Sequence, residues 1–220
     1  MRLPFLGRDP EKELAAGRAV EARVRAGVPF EARGLALRPA IEHYQRALGL
    51  ARLGSATWRE AAFQLGSLLV GENSVRDVER ALPLLEAVVN AAAGYHPAYY
   101  YLGEAYALRR RYDLAEAVWR RGLGLDPERG EIRDVLAYLP LDRVRDAVGR
   151  CDHAGTVSAV ERVAAAERSA ELWLRYGDAL AALGRAAEAG EAWRRALALE
   201  PLKGMRRRFG SIGVPPPRVD

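Results

Sequence analysis

The chain has 220 residues, half of them hydrophobic, and a formal net charge of +5. It can bury a substantial core, and no run reaches the roughly 18 apolar residues that a membrane-spanning helix needs. The single cysteine, Cys151, excludes an intrachain disulfide and fits a reducing compartment, so we expect a soluble cytoplasmic protein. Ala, Leu, Arg and Glu dominate the composition, which favours helices.

The chain begins with a short extension, residues 1–9, which is too short and too soon charged for a signal peptide. The first helix is predicted to begin at Asp9-Pro10-Glu11, since Asp is a good N-cap, Pro suits the first turn and Glu is favoured near the positive end of the helix dipole. A loop is expected through Phe30 and Gly34. The next helix carries small, bulky and small residues at helical spacing: Ala40, Tyr44 and Ala47.

The second and third helix pairs share a pattern of apolar residues spaced three, four and seven apart. In the second pair these are Ala62, Leu65, Gly66 and Leu69, then Ala81, Leu85 and Val88. In the third they are Tyr99, Leu102, Gly103 and Tyr106, then Ala115, Trp119 and Gly122. Gly66 and Ala81 are 15 positions apart but Gly103 and Ala115 only 12, so three extra residues are predicted in the turn around residues 71–74.

The rest of the chain holds one irregular and one regular pair. In the irregular repeat, residues 131–167, Pro140 is expected to cut the first helix and residues 152–156 to form a turn. The last pair, residues 170–203, matches the third nearly position for position: Trp173, Tyr176, Gly177, Leu180, Ala189, Trp193, Ala196 and Pro201.

The sequence from Tyr99 to Pro127 resembles the tetratricopeptide signature, in which a bulky residue, a Leu-Gly pair and an aromatic are followed by Ala, an aromatic and Pro. The resemblance implies an all-α fold, a right-handed α-solenoid of about five such helix pairs over residues 10–201. A short C-terminal capping helix and a basic, Pro-rich tail are expected over residues 202–220, because a terminal pair needs its apolar face covered.

The resemblance also implies a function, the binding of another protein or peptide in a concave groove formed by the first helix of each pair. The groove residues that it assigns are Phe63, Ser67, Val70, Tyr100, Glu104, Leu108, Leu174 and Asp178. Tyr100 and Glu104 stand where relatives that grip chaperone C-termini have Lys, Arg or Asn, which argues against that ligand. The alternative is that Phe63, Tyr100 and Leu174 only complete packing between repeats.

The basic tail provides a second hypothesis. Residues 202–220 carry five basic residues and one acid, a charge of +4 that leaves only +1 for the rest. The candidate contacts are Lys203, Arg206, Arg207 and Arg208, which could bind nucleic acid or a ribonucleoprotein. They could also form a capping helix with a solvated Arg face, or fold back on the acidic groove.

No catalytic motif is present: the sequence lacks a phosphate-binding G-x-x-x-x-G-K loop, H-E-x-x-H and C-x-x-C. The one cluster of soft ligands, Cys151-Asp152-His153, is too small for a structural zinc site with four ligands. We therefore expect no enzyme activity, no metal and no cofactor, and an adaptor or scaffold subunit as the leading function.

Overall fold

A computed structural model describes residues 9–199 and 205–213. This part of the chain contains eleven α-helices, two short 3-10 turns and no strand. The predicted all-α fold of five helix pairs and a short C-terminal helix is confirmed. The chain divides into two compact units, Met1–Arg133 and Asp134–Asp220.

The first unit contains three helix pairs in chain order. These are α1 (Pro10–Gly27) with α2 (Phe30–Leu50), α3 (Ala56–Gly71) with α4 (Val78–Ala91), and α5 (Pro97–Leu108) with α6 (Tyr112–Leu125). The start of α7 (Gly130–Gly149) completes it. Asp9 caps α1 as predicted, because its carboxylate accepts a hydrogen bond of 2.9 Å from the Glu11 amide.

A close contact between a glycine and a bulky side chain joins the helices of each pair in this unit. A Cβ on Gly66 would lie 2.8 Å from Leu85 Cγ, and one on Gly103 would overlap the Trp119 indole. The first pair makes the same contact through Gly17 and Tyr44, which the sequence reasoning missed. Side chains larger than hydrogen are therefore excluded from the centre of each pair.

The second helix begins earlier than expected, at Phe30, so the predicted loop through Gly34 is wrong. Pro39 lies inside α2 and cannot donate a hydrogen bond to the carbonyl of Leu35. Since Leu35 is 71% exposed, water can satisfy that carbonyl. Buried residues at helical spacing hold the helix on α1 despite the proline: Leu37, Ala40, Tyr44 and Ala47.

The longer connection between α3 and α4 lies where the spacing predicts it. Residues 72–77, which we call the extended turn, include a 3-10 turn at Asn73–Val75. A Cβ on Gly34 would lie 2.8 Å from the Ser74 carbonyl oxygen, so α2 approaches this turn more closely than any larger residue permits. The close approach fixes the extended turn against α2.

The second unit contains the rest of α7, then α8 (His153–Glu161), α9 (Ala170–Ala182), α10 (Ala186–Leu199) and α11 (Met205–Ser211). The expected break at Pro140 is wrong, because α7 continues through it. Leu139, Val144 and Ala147 are buried in this unit, and their burial offsets the hydrogen bond that the proline removes.

The predicted turn at residues 152–156 is the start of α8. The Asp152 carboxylate accepts a 2.8 Å hydrogen bond from the Gly155 amide and so caps the helix that begins at His153. Asp is as favourable at an N-cap as in a turn, so the residue type alone did not distinguish the two.

The predicted capping helix is α11. Phe209 is fully buried and packs edge-to-face on Trp193 of α10, with ring centroids 5.5 Å apart and planes at 74°. The overlap seen in the third pair recurs here, since a Cβ on Gly177 would collide with the Trp193 indole. The Pro-rich end of the predicted tail, residues 214–220, lies outside the described residues.

Candidate protein-binding surface

Four half-buried aromatic rings lie together on the first unit: Phe63, Tyr95, Tyr100 and Tyr101, which we call the aromatic cluster. Phe63 meets Tyr95 edge-to-face at 5.2 Å and Tyr101 at 5.8 Å. Tyr100 meets Tyr101 at 5.1 Å. The structure thus connects two predicted groove residues, Phe63 of α3 and Tyr100 of α5, through a ring that the sequence reasoning did not select.

Hydrogen bonds fix this cluster in position. The Tyr95 hydroxyl donates to Glu60 at 3.0 Å, and the Trp119 indole donates to the Tyr100 carbonyl at 3.0 Å. Burial raises the pKa of the Glu60 carboxyl, but hydrogen bonds from Gln64, Tyr95 and Arg18 outweigh it and leave that pKa lowered. The carboxylate therefore stays charged at neutral pH and holds the Tyr95 ring.

The surroundings of Tyr100 are acidic. The pKa of its phenol is raised, first by burial and then by neighbouring groups that include Glu104 and Glu131. Glu104, a predicted groove residue, is half-buried, and Leu108 one turn further along α5 is 41% exposed. This part of α5 offers an aromatic ring beside negative charge.

A pocket of about 290 Å³ lies next to the aromatic cluster. Its lining includes the predicted residue Ser67, together with Tyr101, Arg25 and Arg33. The Ser67 hydroxyl donates to the Gln64 carbonyl at 3.1 Å, while Arg33 donates from Nε to the Val28 carbonyl at 3.2 Å. The surface around α3 and α5 is therefore concave as well as aromatic.

Two predicted groove residues are not accessible. Val70 is fully buried and Leu174 is only 8% exposed. Leu174 belongs to the same buried cluster as Trp193 and Phe209. Neither side chain is therefore accessible to a partner in this arrangement.

Asp178, the remaining predicted groove residue, contacts the C-terminal helix. Its Oδ1 accepts hydrogen bonds from Trp193 Nε1 at 3.1 Å and from Arg208 Nε at 2.7 Å, and a second Arg208 nitrogen donates to Oδ2 at 3.1 Å. Arg208 was assigned to the basic tail. The structure thus joins a residue of the predicted groove and a residue of the predicted basic tail in an ion pair within the second unit.

This ion pair changes what the basic tail can offer. Since Asp178 neutralises Arg208, that charge is not available to an anionic partner in this arrangement. Two other members of the predicted tail site, Arg206 and Arg207, belong to α11, and Lys203 lies outside the described residues.

The sequence reasoning missed Tyr95 and Tyr101, half of the aromatic cluster. Tyr101 is adjacent in sequence to Tyr100, and a strict helical face excludes one of two adjacent residues. The sequence signal that could have found them is the high local frequency of tyrosine, because residues 95–101 contain four.

The remaining candidates for chemistry give no site. Cys151 is exposed, and Asp152 is engaged as the cap of α8. Across residues 9–199 and 205–213, no three His, Cys, Asp or Glu side chains are grouped as a metal ion would need. Nor does any helix in the described part of the chain combine the length and apolar character needed to cross a bilayer.

Comparison with known proteins identifies the repeat. Residues 170–201, which contain the Gly177–Trp193 contact, match the tetratricopeptide repeat family. This segment is a tetratricopeptide repeat. It covers α9 and α10, and the Gly103–Trp119 contact shows the same arrangement in α5 and α6. No curated protein matches the sequence of the chain.

Several solved structures resemble the chain at low sequence identity. The TPR domain of P58(IPK) is 17% identical over 93% of this chain, with a TM-score of 0.49, and the chain spans 54% of that domain. MamA is 16% identical, with 96% of this chain and all of that one covered and a TM-score of 0.47. A thermophilic TPR protein of Thermus thermophilus is 20% identical, with 94% and 100% covered and a TM-score of 0.40.

Proposed function

We propose that this protein is a non-enzymatic adaptor or scaffold subunit that binds a partner polypeptide through the aromatic cluster of its first unit. The observation that carries the proposal is the cluster itself, four half-buried rings from α3, α5 and the connection before α5. Aromatic rings supply much contact area at low entropic cost, which makes them frequent anchors of protein interfaces.

The mechanism is recognition by a surface formed in advance. Hydrogen bonds to Glu60 and from Trp119 already fix the Tyr95 ring and the Tyr100 backbone, so few side chains need ordering when a partner binds. Of the residues assigned to the groove from sequence, the proposal keeps those on α3 and α5 that are half-buried or exposed: Phe63, Ser67, Tyr100, Glu104 and Leu108.

The partner that this surface favours has an apolar or aromatic anchor next to a basic residue. The anchor would pack on the rings, and the basic residue would face the carboxylates around Tyr100, Glu104 and Glu131. An extended or helical segment of another protein can present this combination.

The test is affinity purification of the tagged full-length chain from cells of its source, with and without nuclease, followed by mass spectrometry. Tyr100→Ala is expected to lower recovery of the dominant partner about tenfold, since an aromatic anchor at an interface contributes about 1–2 kcal/mol. Tyr138→Ala is the matched control, because Tyr138 is 63% exposed on α7 and belongs to the other unit.

A partner that survives nuclease and is lost only with Tyr100→Ala supports the proposal. A partner recovered equally with both variants contradicts it. Material that disappears on nuclease treatment would favour the basic tail and nucleic acid.

A further inference from the structure

A second concave surface is lined by none of the four rings of the aromatic cluster. It is a cleft of about 640 Å³ between α2, the extended turn and α4. Three arginines line it, Arg38 from α2, Arg76 from the extended turn and Arg80 from α4, and all three are exposed. We call it the arginine cleft.

The negative groups in the arginine cleft already have partners. Asp77 caps α4, with its Oδ1 accepting from the Arg80 amide at 3.2 Å, and its Oδ2 lies 3.8 Å from the Arg80 guanidinium. Glu42 forms an ion pair with Arg46 at 3.6 Å. The cleft's carboxylates are thus engaged, and its net charge is positive.

Arg76 and Arg38 retain capacity for a ligand, whereas Arg80 already forms an ion pair with Asp77. Arg76 Nε donates to the Val70 carbonyl at 3.2 Å. This hydrogen bond fixes the guanidinium and leaves its two terminal nitrogens able to donate to a ligand. Within the described residues, the side chain of Arg38 makes no hydrogen bond or ion pair. A planar guanidinium forms strong paired hydrogen bonds with a carboxylate, so the cleft favours an anionic ligand.

The apolar lining decides between two kinds of anionic ligand. Leu35, 71% exposed, and the half-buried Ile41 and Val75 lie beside the arginines, over the buried Leu69. Among the residues that the structure describes, no aromatic ring lines the arginine cleft. Single-stranded nucleic acid is bound by stacking its bases on aromatic rings, whereas an aliphatic surface among arginines matches acidic and leucine-like side chains.

We infer that the arginine cleft binds an acidic segment of a partner polypeptide that also carries an aliphatic residue. The extended turn supplies one wall, and α5 and α6 pair without any such extension. The inference does not rest on the aromatic cluster, since none of the four rings lines the arginine cleft.

The test uses the full-length protein and a short fluorescent peptide composed of Glu and Leu, with binding measured by anisotropy. Saturable binding is expected, about tenfold weaker in the double variant Leu35→Ser/Arg38→Ala. The matched control is Leu53→Ser/Arg52→Ala, because Leu53 is 77% exposed and the control removes the same charge and apolar area. The control is expected to bind as the unmodified protein does.

Four results would overturn the inference. These are equal weakening in both double variants, no saturable binding, equal affinity for a peptide of Gln and Leu, and tighter Arg38-dependent binding of single-stranded DNA. Loss of peptide binding with Tyr100→Ala would place the peptide on the aromatic cluster instead. A concentration-dependent dimer abolished only by Leu35→Ser/Arg38→Ala would assign the cleft to a second copy of the chain.

Discussion

The helices α5 and α9 present the same positions to different surroundings. In both helices, a glycine contacts a tryptophan of the next helix. The predicted groove residues lie at the same distances in sequence from that glycine in each helix. On α5, Tyr100 and Glu104 remain half-buried. On α9, Leu174 is 8% exposed and Asp178 is bound to Arg208.

The difference follows from what comes after each pair in the chain. The third helix pair is followed by the long helix α7, whereas the last pair is followed by a short helix that places Phe209 on Trp193. A repeat array must cover its terminal apolar face, and α11 does so. The same sequence position is therefore half-buried in one pair and packed against the chain's own end in another.

The largest expected effect comes from removing the end cap. Phe209→Ala should lower the free energy of unfolding by about 3 kcal/mol, because it deletes a fully buried ring that packs on Trp193. Urea unfolding followed by tryptophan fluorescence measures the loss. Leu199→Ala is the control, with Leu199 60% exposed and an expected loss below about 0.5 kcal/mol. Equal losses would show that α11 does not cover α9 and α10.

The glycine contacts should prove equivalent in the two pairs. Gly103→Ala and Gly177→Ala are each expected to lose about 2 kcal/mol, since the new Cβ would overlap a tryptophan ring. Gly124→Ala is the control. It lies in α6 with open space around it, so helix propensity should leave stability unchanged or raise it by about 0.5–1 kcal/mol. Thermal unfolding distinguishes these outcomes, and a harmless alanine at either glycine would refute the contact there.

The smallest expected effect on stability comes from the ion pair between Asp178 of α9 and Arg208 of α11. A double-mutant cycle with Asp178→Asn and Arg208→Gln should give a coupling of about 1 kcal/mol that decreases with added salt, because about a third of each side chain is exposed (34% and 32%). The more exposed pair Glu171–Arg175 on the same helix should give about 0.3 kcal/mol. A coupling no larger than that of the control pair would mean that Arg208 contributes little to the position of α11.

Local signals in the sequence predicted much of the fold. The spacing of Leu102, Gly103 and Trp119 indicated a helix pair, and the 15-residue interval from Gly66 to Ala81 placed the extended turn. The prediction at Pro140 was wrong. That proline lies inside α7, because buried residues on the same helix offset one missing hydrogen bond and the local rule ignores burial.

The sequence by itself determined most of the helix pairs, boundaries at capping residues such as Asp9, and which residues share one face of a helix. Only the tertiary structure decided which of those positions stay accessible. Val70, Leu174 and Asp178 differ from Tyr100 through contacts with other helices, and Tyr95 and Tyr101 join the aromatic cluster in the same way. Helical periodicity determines which side of its own helix a residue occupies. Whether that residue is exposed depends on which other parts of the chain pack against that side.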